Sequence, residues 1–533
     1  MGAKMNRAER RRQRKTTQKT ANAPPGQAAP DIQQSIDLAL AHHAAGRLAE
    51  AEGIYRRILQ AEPNQPVALN LLGVIAHQTG KNDVAVDLIA KAVAIKPDYA
   101  VAHYNLGLAF QDLGELDEAA ACYQEAIAIE PGFAGAHNNL GNALKDLGAV
   151  DGAVASFHKA LSLKPDYAEA HSNLGSALTK LGKLDEAVAC FKKALAIKPD
   201  LADAHNNLGN ALKHSGRLDE AFSSLRQALA INPAFAEAHN NLGLAFKDLG
   251  ELDEAGACIT KALAINPDFA EAHYNLHALL LDPGDMAPAI KCLQRAVDIS
   301  PQRTDYRFML AMLLDYSGHP GEAASHFDVV ENGANSDGAK LDAWRYIKSA
   351  QKELPPIIGS AIQAFELGIN AAVNDGLVLE FGVRFGTTIR QIAALVDQEV
   401  HGFDSFEGLP EAWHDEPKGS YSTKGVIPSI QENVILHKGW FEETLPAFVA
   451  EYQAPVRFVN IDCDIYSSTK TVLDLLARQI IPGTVMVFDE YIGNETWRDD
   501  EFKAFQEAVL EHGWDYEYLC FGFMTKQVVV RIK

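Results

Sequence analysis

Four carboxylates stand in two short runs near the end of this 533-residue chain: Asp462 and Asp464 in Asn460-Ile461-Asp462-Cys463-Asp464-Ile465-Tyr466, and Asp489 and Glu490 in Phe488-Asp489-Glu490-Tyr491. Each run closes an apolar, β-branched stretch, RFVNID and TVMVFDE, so the acids read as the carboxyl ends of two strands. Gathered on one rim, they would raise one another's pKa. A hard divalent cation such as Mg²⁺ relieves that repulsion and prefers oxygen ligands. Asp464 also has a plainer reading, as the start of the following helix with Ser467 or Ser468 as its cap.

Two earlier strand ends carry further candidates. LVLEFG ends in Glu380-Phe381-Gly382-Val383-Arg384-Phe385-Gly386, whose glycines let a ligand approach the backbone. The spacing is not GxGxxG, which argues against a dinucleotide. Asp404, in HGFDSFEGLPE, follows Glu380 by 24 residues. A carboxylate there can accept hydrogen bonds from both ribose hydroxyls of a nucleoside, with Ser405 and Phe406 flanking it, or can simply form an Asx turn. After the third strand, VILHKG, Trp440 reads either as a neighbour of the base or as a hydrophobic anchor. Residues 409–429 are rich in Pro and Gly and hold Trp413, His414, Lys418 and Tyr421. A loop of this length beside a rim is read as a lid, with His414 and Tyr421 as acceptor contacts.

The elements that must position these groups alternate strand and helix, with helices expected near Thr387–Val396 and Thr469–Gln479. That rhythm predicts a doubly wound, mostly parallel α/β sheet over residues 355–533. Ligands of such sheets bind beyond the carboxyl ends of the strands, where these candidates lie.

The E-x-G-x-x-x-G run resembles the first motif of class I S-adenosylmethionine-dependent methyltransferases. The resemblance implies that Glu380, Gly382 and Gly386 shape the methionine and ribose end of a cofactor pocket. Together with GFDSFEGLPE and the two acid runs, residues 377–530 resemble the macrocin O-methyltransferase family, which includes sugar O-methyltransferases. That resemblance implies S-adenosylmethionine as cofactor, Asp462, Asp489 and Glu490 as Mg²⁺ ligands, Asp464 as general base, and a sugar or glycan hydroxyl as acceptor. Glu490 departs from the aspartate expected at its position in the antibiotic enzymes.

The first part of the chain keeps another rhythm. Pro63, Pro97, Pro131, Pro165, Pro199, Pro233, Pro267 and Pro301 recur every 34 residues, Gly73 to Gly243 mark the first half of each unit, and Ala51 to Ala323 mark the second. Each unit reads as two helices that bury their apolar faces only against neighbours, an α-solenoid. The pattern resembles the tetratricopeptide repeat, with nine units over residues 32–337 and the last ones degenerate. Residues 338–354 read as a linker. AHNNLG resembles the repeats of protein O-GlcNAc transferases, in which an asparagine ladder grips polypeptide. Asn105, Asn139, Asn173, Asn207, Asn241 and Asn275 would form that ladder here, each amide able to donate and accept to an extended peptide. The alternative is that Asn is merely a common soluble residue at this position. The His103 to His239 series reads as packing between repeats rather than metal binding. Cys122, Cys190, Cys258 and Cys292 share one repeat position and read as small apolar packers.

The formal charge is −22, yet residues 1–30 hold eight Lys or Arg against Glu9. Without any large aliphatic or aromatic residue before Ile32, this tail is expected to be disordered. Arg10, Arg11, Arg12, Arg14 and Lys15 read as a solvated run rather than a nucleic-acid or membrane contact. No apolar run approaches the roughly 20 residues of a membrane helix, and six cysteines form no CxxC pair. A cytoplasmic location is expected.

The combined reading is an O-methyltransferase whose repeats recruit a protein partner or substrate. One alternative is an interaction scaffold with an inactive, cofactor-sensing domain. Asp-x-Asp also resembles the metal motif of nucleotide-sugar glycosyltransferases, the other alternative, but that leaves the Glu380–Gly386 loop and Asp404 without a role.

Overall fold

The computed structural model describes residues 32–333, 337–414 and 416–533. The basic tail, with Arg10, Arg11, Arg12, Arg14 and Lys15, lies outside the described residues. The chain forms two compact units that meet at Leu181 and Gly182.

From Ile32 to Asn332 the described residues form eighteen helices, most of 13 or 14 residues. The 34-residue pattern explains how they pair. A Cβ at Gly107 would overlap Tyr123, one at Gly141 would overlap Phe157, and one at Gly209 would overlap Leu225. The missing side chain therefore lets the second helix of a unit close onto the first. The periodic proline and histidine are partners: Nε2 of His103, His137 and His171 meets the carbonyl oxygens of Pro97, Pro131 and Pro165 at 2.9, 3.2 and 3.0 Å. His205, His239 and His273 repeat the bond to Pro199, Pro233 and Pro267. In the last unit Arg307 donates to Pro301 instead. Each imidazole thus serves as a donor that satisfies a carbonyl between helices.

The asparagines are also used inside the array. Asn105 donates to Asn70 at 3.0 Å, and Asn173 to Asn138 at 3.0 Å. Asn241 donates to Asn206 at 2.9 Å, and Asn275 to Asn240 at 3.0 Å. Asn139 donates to the Tyr104 hydroxyl, and Asn207 accepts from Asn206. A polar seam therefore runs from repeat to repeat, and it uses part of the capacity that a peptide would need. Asn275 is buried, which removes it from any surface ladder.

In the unit from Gly182 onward, the last repeat helices and the α/β region share one core. Residues 338–354 are not an extended linker: Gly338–Ala350 is a helix that buries Leu341, Ala343, Trp344 and Ile347. The Trp344 indole donates to Asp315 of the helix Thr304–Tyr316 at 2.8 Å and packs on Phe521 and Phe523. Phe308 meets Phe523 edge to face, with centroids 5.0 Å apart. One hydrophobic core thus runs from Leu281 to Ile532.

The sheet has seven strands: β1 (Leu377–Phe381), β2 (Val400–Asp404), β3 (Val434–Lys438), β4 (Val456–Ile461), β5 (Val485–Phe488), β6 (Tyr516–Phe521) and β7 (Val528–Ile532). Their order is β3-β2-β1-β4-β5-β7-β6, parallel except that β7 runs antiparallel to β5 and β6. β1 and β5 are buried along their whole lengths and β4 at all but Arg457, as continuous apolar runs require when helices cover both faces. Strand order reverses between β1 and β4, the switch point at which such sheets bind ligands.

Candidate active site

A cavity of about 500 Å³ opens at the carboxyl ends of β1, β2, β4 and β5. Its floor is set by Gly382, whose φ is +95° and whose Cβ, if present, would overlap the carbonyl oxygen of Asp462. The first residues beyond β1 and β4 therefore touch backbone to backbone. Only glycine permits that contact at that φ.

Asp404, at the end of β2, is held by two amides. Its Oδ2 accepts from the Arg384 N–H at 2.6 Å and its Oδ1 from the Phe406 N–H at 2.6 Å. The carboxylate also lines the cavity, within reach of a ligand there. Burial raises its pKa despite the backbone amides of Arg384, Phe406 and Val383, which favour the charged form. Ser405 and Trp440 also line the cavity. Phe406 does not: its ring is buried in the core with Val383 and Ile389, so only its backbone serves Asp404. Gly386 caps the helix Thr387–Ala394 and lies under Pro428, off the cavity wall. Glu380 is wholly buried behind the rim, where it accepts from Asn460 Nδ2 at 3.0 Å. Burial lifts its pKa to about 8, so it holds a proton at neutral pH.

Asp462, Asp464, Asp489 and Glu490 all line the same cavity. Burial, then the neighbouring carboxylates Glu490 and Asp489, raises Asp464 to about 7. Asp489 rises to about 7 through burial and Glu490, and Asp462 well above its ordinary value through burial, Asp489 and Asp464. Asp464 has φ +61°, a left-handed conformation that costs an ordinary residue about 1–3 kcal/mol and that its surroundings must hold.

Two of the expected Mg²⁺ ligands are engaged by protein donors. Both oxygens of Glu490 accept from Lys526 Nζ at 2.9 Å, and Asp489 Oδ1 accepts from Gln527 at 2.6 Å. Asp462, Asp489 and Glu490 do not draw together as a compact cluster. Among the described residues, the group that brings three ligand atoms within 4.8 Å of one another is Asp474, Glu511 and His512. Lys470 already bonds to both of its acids.

Sequence reasoning missed five contributors to the site. Arg384 and Lys526 bring positive charge to the cavity wall, and Ser467 and Thr471 bring hydroxyls. Glu501 lies beneath the wall, fully buried, and accepts from the Cys463 N–H at 3.3 Å and the Glu490 N–H at 3.1 Å. It ties together the two acid-bearing loops. In sequence it is one charge in RDDEFK, which looks like an ordinary solvated helix start.

The loop 409–429 contributes Leu409, Pro410, Trp413 and Tyr421 to the cavity. His414 turns away from it: Nε2 bonds Thr496 Oγ1 at 3.1 Å and lies 3.7 Å from Asp500. Glu411 accepts from Ser467 Oγ at 2.5 Å, so the loop is pinned over the rim by its own side chains.

Comparison with known proteins agrees with both parts of this fold. Models described as "TPR repeat" and "Tetratricopeptide repeat" match residues 36–100, 109–250 and 236–269. A model described as "Methyltransferase domain" matches residues 379–491. Among solved structures, MamA is 31% identical over 30% of this chain and 94% of its own, with a TM-score of 0.29. YrrB, titled a TPR protein with an unusual peptide-binding site, is 26% identical over 37% of this chain and 100% of its own, with a TM-score of 0.30. A thermophilic TPR protein of Thermus thermophilus is 29% identical over 34% of this chain and 100% of its own, with a TM-score of 0.30. Among curated proteins, none matches. The chain joins an array of tetratricopeptide repeats to a methyltransferase-family domain.

Proposed function

We propose that the protein is an S-adenosylmethionine-dependent O-methyltransferase acting on a sugar or glycan hydroxyl, and that its repeats recruit a protein partner or an extended peptide. The observation that carries this reading is one cavity, at the switch point of a methyltransferase-family sheet, whose wall holds both Asp404 and Asp464.

The Asp404 carboxylate would receive the two ribose hydroxyls, and Trp440 would lie against the base. S-adenosylmethionine supplies a methyl group already activated on a sulfonium. The protein's task is then to align an acceptor oxygen and remove its proton. Asp464 would take that proton. Trp413, Tyr421 and Phe441 offer flat apolar faces, and Ser467 and Thr471 offer hydroxyls, a combination suited to a sugar ring.

The half-buried carboxylates of Asp462 and Asp489, each made less acidic by the other carboxylates, suit a hard divalent cation. Those two residues would hold Mg²⁺, which supplies Lewis acidity toward neighbouring hydroxyls. The Lys526 contact leaves Glu490 outside that set.

Calorimetry of the intact protein with S-adenosylmethionine tests the reading, and absence of binding overturns it. Incubating cell extract with methyl-labelled cofactor, with and without the enzyme, then identifies the acceptor by mass spectrometry. A labelled product without sugar would replace the acceptor class.

A further inference from the structure

We infer that the repeat turn at Gly216 positions the cofactor loop, by seating Phe385 and, through it, Arg384. This rests on reading the Gly382–Gly386 loop as part of the cofactor site.

Left-handed glycines recur at the turns between paired helices, among them Gly46, Gly80, Gly114, Gly148, Gly182 and Gly216. At the first five, no atom lies within 4 Å of where a Cβ would stand. Those glycines serve only the backbone of their own turns. At Gly216, φ +66°, a Cβ would overlap both Cβ and Cγ of Phe385. Here the absent side chain is the seat of a residue from the methyltransferase domain.

Phe385 then supports its neighbour. The Arg384 guanidinium carbon lies 4.7 Å from the Phe385 ring centroid and 4.8 Å from that of Tyr421, so the cation is stacked between two aromatic faces on the cavity wall. The Arg384 N–H is also one of the backbone donors that orient Asp404. A shift of Phe385 would therefore reach both a cation of the cavity and the proposed ribose ligand.

The loop needs support from outside. Arg384 has φ +47°, Phe406 +59° and Tyr421 +64°, conformations that each cost a non-glycine residue about 1–3 kcal/mol and persist only where the surroundings over-determine them. The repeats supply such surroundings at more than one point. In the next repeat the Asp248 carbonyl accepts from Gln391 of the helix that follows the loop, at 2.7 Å, and Gln391 is buried. Asp185 pairs with Lys424 of the cavity loop at 2.5 Å, an exposed contact that adds little by itself. The Gly216–Phe385 seat is the contact closest along the chain to a cavity residue. These repeats are accordingly part of the cofactor site's outer wall as well as a surface for recruitment.

The test compares Gly216→Ala with Gly182→Ala in the full chain. Both substitutions strain a left-handed turn, at φ +66° and +70°, but only the first meets Phe385. Gly216→Ala should weaken S-adenosylmethionine binding at least tenfold in calorimetry, and Gly182→Ala less than twofold. Phe385→Ala, which leaves the turn intact, should weaken binding to the same degree as Gly216→Ala. Hydrogen exchange without cofactor should be faster at the amides of Arg384 and Gly386 in Gly216→Ala than in Gly182→Ala. Equal exchange in the two variants, or affinities that match, overturns the inference. If the unaltered protein binds no S-adenosylmethionine, the cofactor reading falls, while the exchange comparison still decides whether Gly216 positions the loop.

Discussion

Lys526 places its ammonium on both carboxylate oxygens of Glu490, at 2.9 Å each, inside a cavity that otherwise concentrates negative charge. The Glu490 side chain is 14% exposed and that of Lys526 is 41% exposed, so the pair is only partly screened by water. Lys526→Met should therefore cost roughly 1 to 2 kcal/mol, between the values for exposed and buried pairs. It also frees Glu490 to join Asp462 and Asp489 on a cation. Thermal denaturation with and without MgCl₂ should show a larger Mg²⁺-induced rise in Tm for the variant than for the unaltered protein. Equal rises would leave Glu490 outside the metal set whatever Lys526 does.

Asp404 is the residue on which the cofactor reading depends most. Two charge-assisted bonds to ribose hydroxyls, at roughly 1.5 kcal/mol each, amount to about 3 kcal/mol, or somewhat more than a hundredfold in Kd. Asp404→Ala should weaken S-adenosylmethionine binding by about that factor in calorimetry. Asp404→Asn retains one acceptor oxygen and should fall between the two. An Asp404→Ala protein that binds as tightly as the original would remove ribose recognition from this residue.

Asp464 can be separated from binding. Its φ of +61° is a conformation that asparagine also tolerates, so Asp464→Asn should keep the local backbone. Loss of a general base lowers turnover by about 10² to 10⁴. The expected result is that loss in kcat, once the acceptor is identified, with the Kd for S-adenosylmethionine changed less than twofold. Full activity would return Asp464 to the plain role of helix start.

Glu380 makes stability depend on pH in an unusual direction. Its ordinary pKa is 4.5, and burial lifts it to about 8 in the folded chain. Between those values the folded protein keeps a proton that the unfolded chain has released, so stability declines as pH rises across that window, by at most about 1.4 kcal/mol per pH unit from this group. Glu380→Gln keeps the acceptor for Asn460 and removes the titration. Denaturant unfolding of the ligand-free protein at pH 5 and pH 8 should show a smaller decline for Glu380→Gln. An identical decline would mean that Glu380 ionises in the folded state as it does in water.

What the sequence disclosed was local in character. Strand ends were legible because β-branched runs such as TVMVFDE stop abruptly at acids, and the repeats were legible because Pro, Gly and Ala recur every 34 residues. The partners of those residues were not. Nothing in the spacing of His103 reveals that it bonds the Pro97 carbonyl, or that Phe385 needs a glycine from a repeat turn. Phe406 and Glu380 stand in motifs as ligand contacts, yet the core holds both side chains off the cavity wall. Position along a strand end is readable, whereas side-chain direction depends on packing from elsewhere.

The segment after the expected ninth repeat shows the same limit and leads to the last prediction. NGANSDGAK has the composition of a boundary, yet Leu341, Trp344 and Ile347 follow at helical spacing, and all three are buried. Trp344 covers Phe521 and Phe523 while its indole donates to Asp315, so this helix fastens the last repeat to the sheet. Trp344→Ala removes the largest buried side chain at that junction and leaves Asp315 with Lys348 as its remaining donor, a change that costs about 3 to 5 kcal/mol in a packed core. A fragment beginning at residue 355 loses this helix and Phe308 together, and uncovers the aromatic face of β6. Hydrogen exchange should accordingly be faster throughout β6 and β7 in the fragment than in the full chain, with Trp344→Ala between them. Protection in the fragment equal to that of the full chain would make the methyltransferase domain independent of the repeats, and the helix 338–350 a tether after all.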